Sequence, residues 1–156
     1  MTVTDAPTLW LTDPQQRAWR AYINGSTLLF ERLDRQLREE FDLSLPEYEI
    51  LVRLSEAPQR SLRMAVLASS VSHSRSRVTH TIARLESKGL VERRACPTDG
   101  RGVIASLTES GWGCLMAAAP MHVEGVRRNL VELSSEADLA AVGRVFGRVG
   151  EHLREQ

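Results

Sequence analysis

The sequence predicts a mainly α-helical chain with a small β-hairpin wing, a winged helix-turn-helix domain plus a helical dimerisation region. Three observations lead there. Two helical patterns meet across a short polar turn, Ser69-Ser70-Val71-Ser72, which is helix-turn-helix spacing. The second of these helices carries Val78, Ile82 and Leu85 at i, i+4 and i+7, one narrow apolar stripe. Beyond Gly89, a residue suited to a left-handed helix cap, two short extended runs flank a loop from Pro97 to Gly102.

The elements follow in order. Residues 1–12 read as a flexible N-terminal arm, and 13–156 as a single domain. Asp13 followed by Pro14 reads as an N-cap with proline at the first helical position. The helix then runs to about residue 41, with Trp19, Ile23, Phe30, Leu33 and Leu37 stepping by threes and fours and Tyr22 and Leu29 adding a second stripe. Two stripes on so long a helix call for a partner beyond its own lobe. Ser44-Leu-Pro-Glu47 is a capping box opening a second helix. Ser61 is expected to cap a third, bearing Leu62, Val66 and Leu67, and Ser72 a fourth. After the hairpin, Thr108 caps a fifth helix with Trp112, Leu115, Ala119, Val123, Val126 and Leu130 near a period of 3.5, interrupted by Pro120, where a kink is expected. Ser135 and Asp138 open a sixth with Leu139, Val142, Phe146, Val149 and Leu153. The expected division is 13–41 and 108–153 for dimerisation helices and 44–107 for the winged helix-turn-helix lobe.

Charge separates the lobe from its flanks. The whole chain has formal net charge zero, yet between Arg60 and Ile104 nine basic residues meet three acidic ones, a local +6 that leaves −6 elsewhere. A basic middle between acidic ends points to one anionic partner met by one surface. Arginine supplies nineteen of the twenty basic residues, which suits bidentate contacts to phosphates and base edges. On the fourth helix, Ser74, Arg75, Ser76, Arg77 and His80 are placed to meet base edges and phosphates of double-stranded DNA, with Arg84 and Lys88 further back for the backbone. At the wing tip, Arg101 suits a narrow minor groove, and Asp99 suits a clasp on a neighbouring guanidinium.

Other chemistries find little purchase. Cys96 and Cys114 lack metal-ligand or CxxC spacing, so a redox role for either has no support beyond the thiol itself. His73 and His80 are seven residues apart without a carboxylate or cysteine cluster, so no metal or other cofactor is expected. No nucleophile-base-acid set, Walker loop or dinucleotide fingerprint occurs, and the chain is not expected to be an enzyme. No apolar run approaches the roughly 20 residues of a membrane span and no signal-peptide pattern opens the chain, so no membrane partner and a cytoplasmic location are expected. Trp19, Tyr22, Phe30 and Tyr48 are candidates for lining a pocket, although aromatics at helical spacing more commonly form core. The alternative reading is a winged helix that docks proteins, which would call for exposed apolar anchors on the outward face of the fourth helix, and none stands there.

The segments LSLPEYEIL at the second helix, SRSRVTHTIARLESKGLVERR at the fourth, the D-x-R of Asp99 and Arg101, and LTESG at Leu107 to Gly111 resemble the MarR family of bacterial transcription regulators. The similarity in arrangement spans about residues 15–152. The resemblance implies a homodimer built by the first helix and the last two, with two winged lobes on a pseudopalindromic site. It also implies a repressor's role and a small aromatic or oxidant effector that shifts the lobes. Redox-sensing members carry a cysteine near the start of the first helix, and this chain has none there.

Overall fold

The computed structural model describes residues 8–71 and 74–155. Six helices and a three-stranded sheet follow in the order α1 (Asp13–Phe41), α2 (Leu45–Glu56), β1 (Ser61–Arg63), α3 (Met64–Ser70), α4 (Arg75–Ser87), β2 (Val91–Cys96), β3 (Asp99–Leu107), α5 (Glu109–Asn129) and α6 (Glu136–Arg154). The fold is thus mainly helical with a β2–β3 wing.

Local chemistry sets the helix ends. Thr12, not Asp13, caps α1: its hydroxyl accepts from the Gln15 N–H and the Gln15 side chain returns to the Thr12 N–H, while Asp13 and Pro14 fill the first turn. At the other end Asp42 adopts φ 52°, turning the chain into α2. There the Ser44–Glu47 capping box forms as the spacing predicts. Gly89 takes φ 71°, and the Leu90 N–H reaches back to the Leu85 carbonyl at 3.0 Å, closing α4. Ser72 lies outside the described residues, and the N-cap of α4 is Ser74, whose hydroxyl accepts from the Arg77 N–H. Pro120 sits inside α5, which is helical on both sides of it.

The third element departs from the expectation. Residues 61–63 are a strand, and Ser61 caps no helix. Gln59 and Arg60 both take left-handed φ values near 53°, which swings the chain out of a single 3₁₀ turn into extended backbone. β1 then pairs antiparallel with β3, Ser61 opposite Ser106, and their hydroxyls bond at 2.8 Å. The sheet order is β1-β3-β2, and the wing turn is tighter than the expected loop, since β3 already starts at Asp99.

The core lies in the lobe. Leu37 and Leu43 from the α1 end, Ile50, Leu51 and Leu54 of α2, Leu67, and Val78, Ile82 and Leu85 of α4 are fully or almost fully buried, with Leu115 and Ala118 of α5 closing one side. The predicted stripe of α4 is therefore its buried face. The opposite holds for α6, which buries no residue. Its Val142, Val145, Phe146, Val149 and Leu153 are exposed, as are Trp19, Tyr22 and Ile23 on the first half of α1. Among the described residues no helix is long and apolar enough to cross a membrane, and no three His, Cys, Asp or Glu side chains gather as a metal site.

Candidate nucleic-acid interface

The buried stripe of α4 fixes what its other side offers. Ser74, Arg75, Ser76, Arg77, Thr79 and His80 are all exposed. The hydroxyls are partly committed to the helix: Ser74 and Ser76 lie 3.2 Å apart and Thr79 bonds the Arg75 carbonyl. The guanidiniums of Arg75 and Arg77 flank them at the helix start, where unpaired backbone N–H groups also favour anions.

The wing is braced rather than loose. Arg63, at the end of β1, reaches Asp99 at 3.4 Å and Thr98 at 3.3 Å, and the Arg101 N–H donates to Asp99 Oδ1 at 3.2 Å. Asp99 thus clasps a guanidinium, and that guanidinium is Arg63, a residue sequence reasoning did not single out because its partner is 36 positions away. The carboxylate both pins the sheet edge and shapes the backbone that presents exposed Arg101. Arg93 forms a two-pronged bond to Glu86 of α4, at 3.0 and 2.7 Å, tying wing to helix and holding the Glu86 carboxyl below the usual range. Next to the turn, Cys96 is buried with its Sγ 3.4 Å from the Thr98 hydroxyl, an interaction that lowers its pKa. Cys114 is partly buried in α5, and burial raises its thiol pKa.

Arg84 and Lys88 are placed differently from the other basic residues of α4. Arg84 Nε lies 3.1 Å from Glu47 Oε1 and Lys88 Nζ 3.2 Å from Glu47 Oε2. Arg84 stays half-exposed and Lys88 partly exposed while paired to this buried carboxylate, so a phosphate contact from either would compete with Glu47.

The four aromatic candidates fall into two groups. Phe30 and Tyr48 line a cleft of about 560 Å³ between α1, α2 and α5, together with Leu33, His122, Val126 and Leu130. His122 stacks on Tyr48 with ring centroids 4.4 Å apart, and its buried Nδ1 has no hydrogen-bond partner. Trp19 and Tyr22 stand elsewhere: they contact each other at 5.9 Å, and Tyr22 stacks on Phe146 of α6 at 4.6 Å. They belong to the exposed apolar face shared by α1 and α6, and this chain alone gives them no part in the cleft.

The sequence profile of the MarR family matches residues 43–103, which covers α2 through the wing. The structure of AbsC, a MarR family transcriptional regulator from Streptomyces coelicolor, is similar with a TM-score of 0.90 and 41% identity, over 96% of this chain and 100% of that one. A second regulator of that family and organism, solved in complex with DNA, gives a TM-score of 0.91 at 41% identity, covering 96% of this chain and 93% of that one. The HTH-type transcriptional regulator MhqR of Bacillus subtilis is 28% identical over 107 residues, 69% of this chain and 70% of that protein. With its exposed α4, braced wing and these relatives, the chain belongs to the MarR family of DNA-binding transcription regulators.

Proposed function

We propose that the chain is a ligand-responsive repressor that acts as a homodimer on a pseudopalindromic operator. In this reading α4 enters the major groove with Ser74, Arg75, Ser76, Arg77 and His80, and Arg101 enters the flanking minor groove while Asp99 holds the wing in shape. Residues 44–107 form the reading lobe, and 13–41 with 108–153 the dimerisation region. The observation that carries the reading is the single exposed polar side of α4, ranged beside a wing whose tip arginine is free to reach outward. The unburied apolar faces of α1 and α6 support the dimer, because a 19-residue helix with no buried side chain gains stability from a second copy. The DNA-bound relative favours this reading over a protein-docking winged helix. The cleft lined by Phe30, Tyr48 and His122 is the proposed effector site: its volume and mixed apolar and aromatic lining suit a small aromatic molecule. Occupancy there would wedge α2 from α5 and change the separation of the two lobes.

Selection of bound duplexes from a random pool, followed by footprinting with and without a panel of phenolic compounds, tests the proposal. A two-fold related footprint that weakens with an effector supports it. Asymmetric protection or no salt-sensitive binding overturns it.

A further inference from the structure

Glu47 is the one charged side chain fully buried among the described residues, with 0% exposure. Its Oε2 accepts from the Ser44 N–H at 2.7 Å, completing the capping box. A glutamine would serve that purpose equally, so the cap alone does not account for a buried charge. The cations beside it do. Lys88 Nζ donates to Oε2 at 3.2 Å, and Arg84 Nε stands 3.1 Å from Oε1, near enough to pair but off line for a hydrogen bond. A carboxylate taken out of water is tolerable only with such partners.

Both cations belong to the end of α4, Arg84 in its last turn and Lys88 as its C-cap. Lys88 Nζ also donates to the Asp42 carbonyl and lies 3.5 Å from the Asp42 carboxylate. Asp42 ends α1 in the left-handed region. Three elements therefore meet at Lys88: the end of α1, the start of α2 and the end of α4. The exposed residues of α4 sit at its other end. A helix of this length spans about 20 Å, so a tilt of about 5° at Lys88 carries Arg75 through roughly 2 Å.

We infer that Glu47 is a positioning residue for DNA reading. Its buried charge, acting through Arg84 and Lys88, fixes the tilt of α4 against the α1–α2 corner, and these two cations serve the lobe rather than the phosphates. The inference rests on α4 being the groove-reading helix.

The test compares the wild type with Glu47→Gln, Arg84→Gln and the double variant. The probes are a duplex that the wild type selects from a random pool and a random-sequence duplex of equal length, each titrated across salt concentration. Circular dichroism and sedimentation establish fold and assembly. Each single variant is expected to lose about tenfold or more on the selected duplex and little on the random one. The double variant is expected to be no weaker than Glu47→Gln alone, and the slope of log affinity against log salt to stay at the wild-type value throughout. A slope shallower by about 0.9 for each Arg84 removed would make Arg84 a phosphate contact and overturn the inference. Additive losses, or undiminished selectivity in both single variants, would overturn it too. Should Glu47→Gln fail to fold, Arg84→Gln decides by the same slope and selectivity, since Arg84 is half-exposed. A wild type without salt-dependent binding would instead remove the reading of α4 itself.

Discussion

The imidazole of His122 stacks on the phenol of Tyr48 at 4.4 Å across the cleft between α5 and α2, with its Nδ1 buried and unpartnered. Burial lowers the pKa of this histidine and raises that of the tyrosine, so both rings are held neutral. The folded chain therefore binds fewer protons at His122 than the unfolded chain. Above the unfolded value of about 6.5 this makes no difference, and stability falls as pH drops through that value towards the lower folded one. The melting temperature is expected to fall between about pH 7.5 and 5.5, and His122→Phe to remove part of that fall. Equal losses in both proteins would show that the imidazole is not responsible. Asp34 does not interfere. Burial alone would raise its pKa, but bonds from Arg38 and the Leu45 N–H bring it below 3.8, so its contribution disappears at more acidic pH.

The wing offers a second test. Arg101→Ala is expected to weaken operator binding and to make its salt dependence shallower by about 1 for each copy removed, with assembly unchanged. Arg63→Ala is expected to weaken binding less and leave the salt slope in place, because Arg63 acts on Asp99. Fluorescence anisotropy across a salt series separates the two, and a common slope change would assign Arg63 to the DNA instead.

Gly111 tests the junction between wing and α5. A Cβ at this position would lie 2.0 Å from the Leu90 carbonyl oxygen, where the chain is held by Thr108, whose hydroxyl donates to the Gly89 carbonyl at 2.7 Å. Gly111→Ala is expected to cost about 3 kcal/mol or more in denaturant unfolding, a backbone clash having no flexible side chain to absorb it. At Gly113 a Cβ meets nothing within 4 Å, so Gly113→Ala is expected to be neutral or mildly stabilising.

Phe146 tests assembly. It is 38% exposed and carries the Tyr22 stack. Phe146→Glu is expected to raise the dimer dissociation constant about a hundredfold in sedimentation equilibrium, a loss of the size that aromatic anchors carry. An unchanged constant would move the interface away from α6.

Much of the lobe was legible because local chemistry there agrees with the fold: the Ser44–Glu47 box, the stripe of Val78, Ile82 and Leu85, and Gly89 each carry their own signal. Strand β1 was not. Ser61 to Arg63 is too short for a period of two to register, and the hydroxyl of Ser61 looked like a cap when its partner was Ser106, 45 positions away. The pairing of Arg84 and Lys88 with Glu47 was hidden for the same reason. A helical wheel ranks them as outward, but long side chains bend back, and the attracting carboxylate sits 37 and 41 positions earlier at Glu47. The aromatics divided because spacing along α1 says which side a ring is on and not which neighbour meets it: Phe30 faces α2 and Tyr22 faces α6.

The unburied α6 bears on the lifetime of the protein. Within one chain, the stack of Tyr22 on Phe146 ties this helix to α1, yet none of its residues is buried. A newly made subunit without a mate would present nineteen residues that open readily, the kind of segment on which proteases act. Turnover would then be fastest for unmated copies and slowest for paired ones, so degradation itself would hold the pool of regulator to its assembled form.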